Sequence, residues 1–266
     1  MNKKYLVVSG DSFTEGHTMG EQASWAYWVA KKMNLELINL SCGGKGNEWI
    51  SNNLLSFLTS TDISLDECIV MVGWSDLSRQ ILFLDLEIGN EPPGLVDLVI
   101  GDLLYPSESL ENDLKLKYVY NNRKVLHPIF SSITWCLFKT YQSILYTKLF
   151  LENNNIPFLF FDVLTDNKVY YKNGIPYIKK SYLHFLNENL EEIPFIDDVI
   201  SSMISEKNVK NIFNQNYINF QNKTILGWLK LDGNFKYEKG NEGHTNIEGA
   251  EKISEYIIDN FKKIYK

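Results

Sequence analysis

Short, largely apolar stretches alternate along the chain with stretches whose apolar residues repeat at helical spacing. Four of the short stretches predict strands: Lys4–Ser9, Leu35–Ser41, Cys68–Val72 and Pro157–Val163. Continuous apolar character, rather than strict alternation, is typical of strands that are buried on both faces of a parallel sheet. Such strands separated by helices predict an α/β fold with helices on both sides of the sheet.

Helical spacing of apolar residues occurs at Trp25–Met33, at about residues 50–58 and in a long stretch from Pro128 to Leu151. Ala250, Ile253, Ile257 and Phe261 recur at helical spacing and predict one apolar face of a C-terminal helix. The preceding Thr245-Asn246-Ile247-Glu248 matches a capping box, which predicts that Thr245 caps this helix.

The regular pattern is interrupted at about residues 77–124 and 164–228, where apolar, acidic and asparagine residues are mixed. A chain of 266 residues fits one large α/β domain that carries insertions. We therefore expect residues 1–266 to form a single domain, with insertions at these two stretches.

The net charge of −7 and the dispersed lysines argue against a nucleic-acid partner. No segment approaches the roughly 20 apolar residues of a membrane span, and the N-terminal apolar run is shorter than the roughly 7–15 residues of the apolar region within a signal peptide. We expect a protein that is cytoplasmic or otherwise without a signal peptide.

The scattered Cys42, Cys68 and Cys136 favour buried thiols over disulfides or a zinc site. The oligomeric state is not indicated.

Ser12 is the first candidate catalytic residue because it follows a predicted strand and a glycine. The carboxyl ends of parallel strands face the functional crevice of such folds, and a backbone amide there can stabilise an oxyanion. The alternative is that Asp11 and Ser12 merely cap the next helix.

His244 lies in a loop before the C-terminal helix, which makes it a candidate base for Ser12. The other three histidines, His17, His127 and His184, have no comparable placement, and we interpret them as solvent-exposed or packing residues. A histidine before a helix is also often only a surface residue, so the prediction depends on its pairing with Ser12.

Two further glycine-containing turns end predicted strands. Gly43-Gly44-Lys45-Gly46 leaves backbone amides available for a ligand, or is a plain tight turn, and it is not a dinucleotide-binding fingerprint. Gly73-Trp74-Ser75-Asp76 places Ser75 after the third strand, where it is a rival nucleophile. Neither serine has the full G-x-S-x-G motif.

These segments resemble the four sequence blocks of the SGNH, or GDSL-type, serine hydrolases. In the order of that family the chain has Gly10-Asp11-Ser12-Phe13-Thr14-Glu15-Gly16, the segment from Asn39 to Gly44, Gly73-Trp74-Ser75-Asp76 and Gly243-His244-Thr245-Asn246. The resemblance covers roughly the first third and the last tenth of the chain, and it implies a flavodoxin-like three-layer α/β/α sandwich.

The resemblance also implies roles for individual residues. Ser12 would attack an ester carbonyl while His244 removes its proton. The oxyanion hole would use the amides of Ser12 and Gly44 and a side chain of the third block. Neither a metal nor a cofactor is required.

The chain departs from the family pattern at two positions. The third block usually carries Asn where this chain has Ser75, whose hydroxyl is the replacement donor that we predict, with Asn47 or a water in support. The family commonly places Asp three residues before the histidine, where this chain has Asn241, and some relatives instead have Asp-Gly-His. Glu242-Gly243-His244 matches that shorter spacing with Glu for Asp, so Glu242 is our candidate for the triad acid, and without an acid a Ser-His dyad of reduced rate is the alternative. Glu242 could instead be a solvated charge near the positive end of the helix.

The sequence thus predicts a serine esterase or acylhydrolase with an acyl-enzyme on Ser12. A small-molecule or carbohydrate ester is the expected substrate, and an O-acyl carbohydrate suits a soluble, acidic chain with many aromatic residues. The alternative, motivated by Ser75 and Asn241, is a binding or structural protein that retains the fold with weakened chemistry. A flavin-type cofactor binder is disfavoured because Gly10-to-Gly16 lacks a phosphate-cradling pattern rich in serine and threonine.

Overall fold

The computed structural model describes the elements that surround the predicted strand ends. The residues described are 3–16, 20–77, 79–84, 94–99, 117–118, 121, 133–164, 169–172, 175–179, 192–194, 206–220, 224–225 and 244–266. Within them, none of the helices combines the length and apolar character needed to cross a membrane.

The described strands and helices follow in chain order. The strands are β1 (Tyr5–Ser9), β2 (Glu36–Asn39), β3 (Cys68–Trp74), β4 (Arg79–Leu84), β5 (Gly94–Val99), β6 (Phe158–Asp162), β7 (Val169–Lys172), β8 (Ile175–Lys179), β9 (Glu192–Pro194) and β10 (Tyr217–Ile218). The helices are α1 (Ser12–Glu15), α2 (Trp25–Met33), α3 (Asn47–Ser60), α4 (Ile133–Asn153), α5 (Glu206–Ile212) and α6 (Ile247–Ile264), with 3-10 turns at Glu21–Ala23 and Leu65–Glu67.

Five strands form one parallel sheet in the order β10-β6-β3-β1-β2. Val7 at the centre of β1 pairs with Ile38 on one side and Val70 on the other. The four predicted strands are all present, and β3 is two residues longer than predicted because its apolar run continues to the buried Trp74. The predicted α/β fold with a parallel central sheet is confirmed.

Two apolar clusters cover the two faces of this sheet. One packs β1, β3 and β6 against α3, α4 and α5, with Leu54 and Ile144 fully buried. The other packs the opposite face against α2 and α6, with Val29 and Ile257 fully buried. Burial of this kind is worth about 1.5–3 kcal/mol for each large apolar side chain, so both helical layers are held mainly by apolar contact.

The two stretches predicted as insertions contain further strands. In the first, β4 and β5 pair antiparallel; in the second, β7, β8 and β9 form a three-stranded antiparallel sheet. β10 also lies in the second stretch, yet it pairs with β6 in the central sheet, which the hydrophobic pattern did not predict. The single-domain organisation stays a prediction, since most of both stretches and Pro128 lie outside the described residues.

The three cysteines are free thiols, with Cys68 and Cys136 buried and Cys42 half-buried. Burial, followed by the nearby Asp76 charge, raises the pKa of Cys136 to about 12. The Cys136 thiol is therefore a packing group rather than a nucleophile at neutral pH.

Candidate active site

Ser12 lies three residues after the end of β1, where it is the first residue of α1. The side chain of Asp11 caps this helix, because its Oδ1 accepts a hydrogen bond from the Phe13 N–H at 3.1 Å. A Cβ at Gly10 would lie 2.2 Å from Thr14 Oγ1, so the turn between strand and helix needs glycine there. Of the two residues that we considered as helix caps, Asp11 caps α1 with its side chain, and Ser12 does not.

His244 contacts Ser12 across a sequence separation of 232 residues. His244 Nε2 lies 2.7 Å from Ser12 Oγ, which is hydrogen-bond distance. The Ser12 residue is 6% exposed, and the His244 ring packs beside that of Phe13 with 4.7 Å between the ring centroids. The structure brings the predicted nucleophile and base together, while their chemical roles stay predictions.

The segment that carries His244 is fixed by the two residues that follow it. Thr245 Oγ1 donates to the Ala23 carbonyl at 3.2 Å, which ties the segment to the turn before α2. Asn246 caps α6, since its Oδ1 accepts a hydrogen bond from the Gly249 N–H at 2.8 Å. This corrects the predicted capping box, because the Thr245 hydroxyl is used for the tertiary contact and the helix begins one residue later.

The turn that contains Gly44 lies against the segment between β1 and α1. The Cys42 N–H donates to the Gly10 carbonyl at 3.2 Å, and the Gly43 N–H donates to Glu15 Oε2 at 2.8 Å. Gly44 itself has φ of +78°, and a Cβ on it would meet no atom of the described residues within 4 Å. The left-handed backbone suits glycine, and those residues leave room for a ligand beside it.

The amides of Ser12 and Gly44 are the predicted oxyanion donors. Ser12 occupies the first helical position, where an N–H has no acceptor within its own helix. Neither amide has a hydrogen-bond acceptor among the described residues. Both N–H groups are therefore available to a ligand as far as that part of the chain is concerned.

Ser75 lies beside Asp11 at the end of β3. Its Oγ donates to Asp11 Oδ2 at 2.9 Å and accepts a hydrogen bond from Arg79 Nη1 at 3.1 Å. The Ser75 hydroxyl proton thus points at the Asp11 carboxylate, whereas the Ser12 hydroxyl contacts His244 directly. The role of Ser75 as an oxyanion donor stays a prediction, and it would require this proton to turn towards substrate.

Asn47 holds the backbone of Ser75. Its Oδ1 accepts from the Ser75 N–H at 2.7 Å, and its Nδ2 donates to the Ser75 carbonyl at 3.1 Å and to Thr140 Oγ1 at 3.2 Å. Both protons of the amide group are therefore in use. This argues against the suggested compensation by Asn47 in the oxyanion hole and makes it a structural support of Ser75.

The carboxyl group of Asp11 is completely buried. Burial raises its pKa above the ordinary value, while attraction to Arg79, the Ser75 and Phe13 hydrogen bonds and the nearby His244 oppose that rise. Arg79 Nη1 lies 3.6 Å from Asp11 Oδ2. A buried carboxylate next to the nucleophile is therefore balanced mainly by one guanidinium group.

Glu242, the candidate triad acid, lies outside the described residues, as do Asn241 and Gly243. Its contact with His244 stays a prediction. Among the described residues, no group of three or more His, Cys, Asp or Glu side chains is arranged to hold a metal ion.

Arg79 is the residue of this site that the sequence did not single out. It opens β4, just inside the stretch predicted as an insertion. One signal was available, because Arg79 is one of only two arginines in the chain and follows the third block by three residues. A rare guanidinium group so near a suspected active site is a candidate partner for a buried carboxylate.

A cavity of about 600 Å³ lies apart from these residues, between α4 and α5. Its lining includes Phe138, Tyr141, Leu145 and Ile212, and neither Ser12 nor His244 belongs to it. The contact between Ser12 and His244, rather than this cavity, therefore defines the candidate site.

Comparison with known proteins gives similarity in structure only. No protein-family model and no curated protein matches the sequence. Among solved structures, the chain is similar to a member of the lipolytic protein G-D-S-L family from Veillonella parvula DSM 2008, with 12% identity, a TM-score of 0.46, and coverage of 97% of this chain and 98% of that one.

Two esterase structures are similar at the same level. The psychrotrophic esterase EstA from Pseudoalteromonas sp. has 12% identity and a TM-score of 0.45, with 98% of each chain covered. An acetyl xylan esterase from the rumen bacterium Butyrivibrio proteoclasticus has 11% identity and a TM-score of 0.46, with 99% of this chain and 64% of that chain covered.

Proposed function

We propose that this protein is a serine esterase or acylhydrolase that cleaves an ester through an acyl-enzyme on Ser12. The observation that carries the proposal is the 2.7 Å contact between His244 Nε2 and Ser12 Oγ, beyond the carboxyl end of strand β1 of the parallel sheet. A serine hydroxyl is a weak nucleophile at neutral pH, and an adjacent imidazole that accepts its proton overcomes this weakness.

In the proposed first step, Ser12 Oγ attacks the ester carbonyl carbon while His244 Nε2 takes the hydroxyl proton. The carbonyl oxygen gains the negative charge, which the amides of Ser12 and Gly44, without an acceptor in the described part of the chain, are suited to stabilise. The intermediate then expels the alcohol, which receives the proton from His244. A water molecule, activated by the same imidazole, releases the acyl group as an acid and restores Ser12.

The substrate in this proposal is a small acyl ester, with an O-acyl carbohydrate as the preferred class. Acetate release from acetylated sugars, compared with p-nitrophenyl acetate, tests that preference. Turnover of the synthetic ester alone would support the proposed ester hydrolase activity and contradict the proposed carbohydrate substrate.

The main experiment combines labelling by a fluorophosphonate probe with turnover of p-nitrophenyl acetate. We expect the wild-type protein to be labelled on Ser12, located by mass spectrometry of the peptides, and Ser12→Ala and His244→Ala to lose labelling and turnover. His184→Ala serves as the matched histidine control and should retain both. Activity that survives in Ser12→Ala but is lost in Ser75→Ala would move the nucleophile to Ser75.

A second candidate function is a protein of this fold that binds a ligand with little or no turnover. The observation that favours it is that both candidates for the third oxyanion donor are engaged in other hydrogen bonds. The Ser75 hydroxyl donates to Asp11, and both amide protons of Asn47 are in use. The loss of one such donor typically costs ~3 kcal/mol of transition-state stabilisation. A folded wild-type protein that the probe leaves unlabelled, beside a reactive serine hydrolase, would decide for this alternative.

A further inference from the structure

The side chains of Asp11, Ser75 and Arg79 all contact one another, and Asp11 is the residue that precedes the proposed nucleophile. Arg79 Nη1 lies 3.6 Å from Asp11 Oδ2 and donates to Ser75 Oγ at 3.1 Å. Ser75 Oγ donates in turn to Asp11 Oδ2 at 2.9 Å. Asp11 precedes Ser12 in the chain and caps the helix that begins there, so this set of contacts reaches the nucleophile through a single peptide unit.

Arg79 is held firmly in this position. Its backbone N–H donates to the Asp76 carbonyl at 3.1 Å, and its own carbonyl lies 2.2 Å from the place that a Cβ on Gly46 would take. The Arg79 side chain is only 20% exposed. Its attraction to a completely buried carboxylate is therefore weakly screened by solvent, unlike that of a surface ion pair.

A buried carboxylate beside an oxyanion hole is unfavourable unless it is paired. Removal of a partner from a buried pair leaves an uncompensated charge, and that is strongly destabilising. In the proposed reaction a second negative charge develops at the amide of Ser12, one residue from Asp11. An unpaired Asp11 would repel that charge, whereas a protonated one would accept weaker hydrogen bonds from Phe13 and Ser75.

We propose that Arg79 is a positioning residue for Ser12, because its guanidinium group keeps the buried Asp11 carboxylate ionised and neutralises its charge next to the oxyanion. This inference rests on the proposed function of Ser12. It assigns to Arg79 an effect on the rate that is transmitted entirely through Asp11. Among the residues that the structure describes, the charged and titratable groups that face Asp11 are Arg79 on β4 and His244 before α6.

The test is a double-mutant cycle of Arg79→Met and Asp11→Asn on the full chain, with the rate of phosphonylation of Ser12 measured between about pH 5 and 9. Asparagine keeps an acceptor for the Phe13 N–H but removes the charge. Lys32→Met is the matched control, because Lys32 is similarly shielded and pairs with Glu251 and Glu255 instead.

We expect Arg79→Met to react about ten-fold or more slowly than the wild type at alkaline pH, where Asp11 is ionised without its partner, and to lose less at mildly acidic pH, where burial keeps Asp11 protonated. In the esterase assay kcat should fall while KM changes little. Arg79→Lys should recover part of the rate, and Arg79→Met combined with Asp11→Asn should react like Asp11→Asn alone. Lys32→Met should match the wild type.

Three results would overturn the inference: an unchanged pH profile in Arg79→Met, an equal loss from Arg79→Met in the Asp11→Asn background, or a double variant that does not fold. If only the single variant Arg79→Met fails to fold, recovery of folding in the double variant supports the coupling. A wild-type protein that is never labelled refutes the proposed function instead. The coupling of Arg79 and Asp11 is then measured in the free energy of unfolding, where a value near zero refutes the inference separately.

Discussion

Replacement of Asn47 by alanine is expected to lower the free energy of unfolding by about 3 kcal/mol. The Asn47 residue is 1% exposed, and its carboxamide makes two hydrogen bonds with the Ser75 backbone, at 2.7 and 3.1 Å, and one with Thr140 Oγ1 at 3.2 Å. A hydrogen bond of this kind contributes about 1 kcal/mol net, so the three together give the expected loss.

The measurement is urea denaturation followed by tryptophan fluorescence, with linear extrapolation to water. Asn53→Ala is the matched control in the same helix α3, because the half-buried Asn53 makes one hydrogen bond, from Nδ2 to the Leu40 carbonyl at 2.9 Å. We expect it to lose about 1 kcal/mol. Equal losses for the two variants would refute the view that the Asn47 carboxamide clamps the end of β3.

The same variant has a functional consequence. Asn47 accepts a hydrogen bond from the Ser75 backbone N–H, and the Ser75 hydroxyl contacts Asp11, so we expect loss of the first contact to displace the second. Asn47→Ala should therefore also slow labelling of Ser12 by the fluorophosphonate probe, whereas Asn53→Ala should not. Unaltered labelling of a folded Asn47→Ala protein would show that Ser75 keeps its position without this support.

Three further outcomes follow from local packing and charge. Gly46→Ala should cost about 1–3 kcal/mol in urea denaturation, since its Cβ would meet the Arg79 carbonyl at 2.2 Å, and a cost near zero would contradict that close approach. Because burial raises the pKa of Asp11 above 3.8, its contribution to stability is full below that pH and is lost as the pH rises through the folded-state value. The stability of Asp11→Asn relative to wild type should therefore increase with pH from about 4 upward, and a constant difference would refute this. Cys136, with a pKa of about 12, should resist iodoacetamide in the native protein and react in urea, as peptide mass spectrometry would show, whereas the half-buried Cys42 serves as the comparison.

The sheet and the Ser12–His244 pair could be anticipated from the sequence for physical reasons. A strand buried on both faces must be apolar throughout, so β1, β3 and β6 are visible as apolar runs. The carboxyl ends of parallel strands converge, which places Ser12 at the edge where a loop can bring His244. Both inferences depend on patterns that are local in the chain.

Other features depend on contacts between distant side chains. The two-residue strand β10 is too short to give a pattern, although it completes the sheet beside β6. Thr245 and Asn246 are both good capping residues, and only the tertiary contact of Thr245 with Ala23 decides between them. The pairing of Arg79 with Asp11 depends on where β4 begins relative to β1, which no spacing in the sequence specifies.

The long separation of Ser12 and His244 makes the site dependent on completion of the chain. Closing a loop of 232 residues costs about 5 kcal/mol of chain entropy relative to free ends. Docking of α6, through Ile253, Ile257 and Phe261, offsets this cost. The strands β1, β2, β3 and β6 thus all precede the base in the chain, and any local opening that releases α6 separates His244 from Ser12.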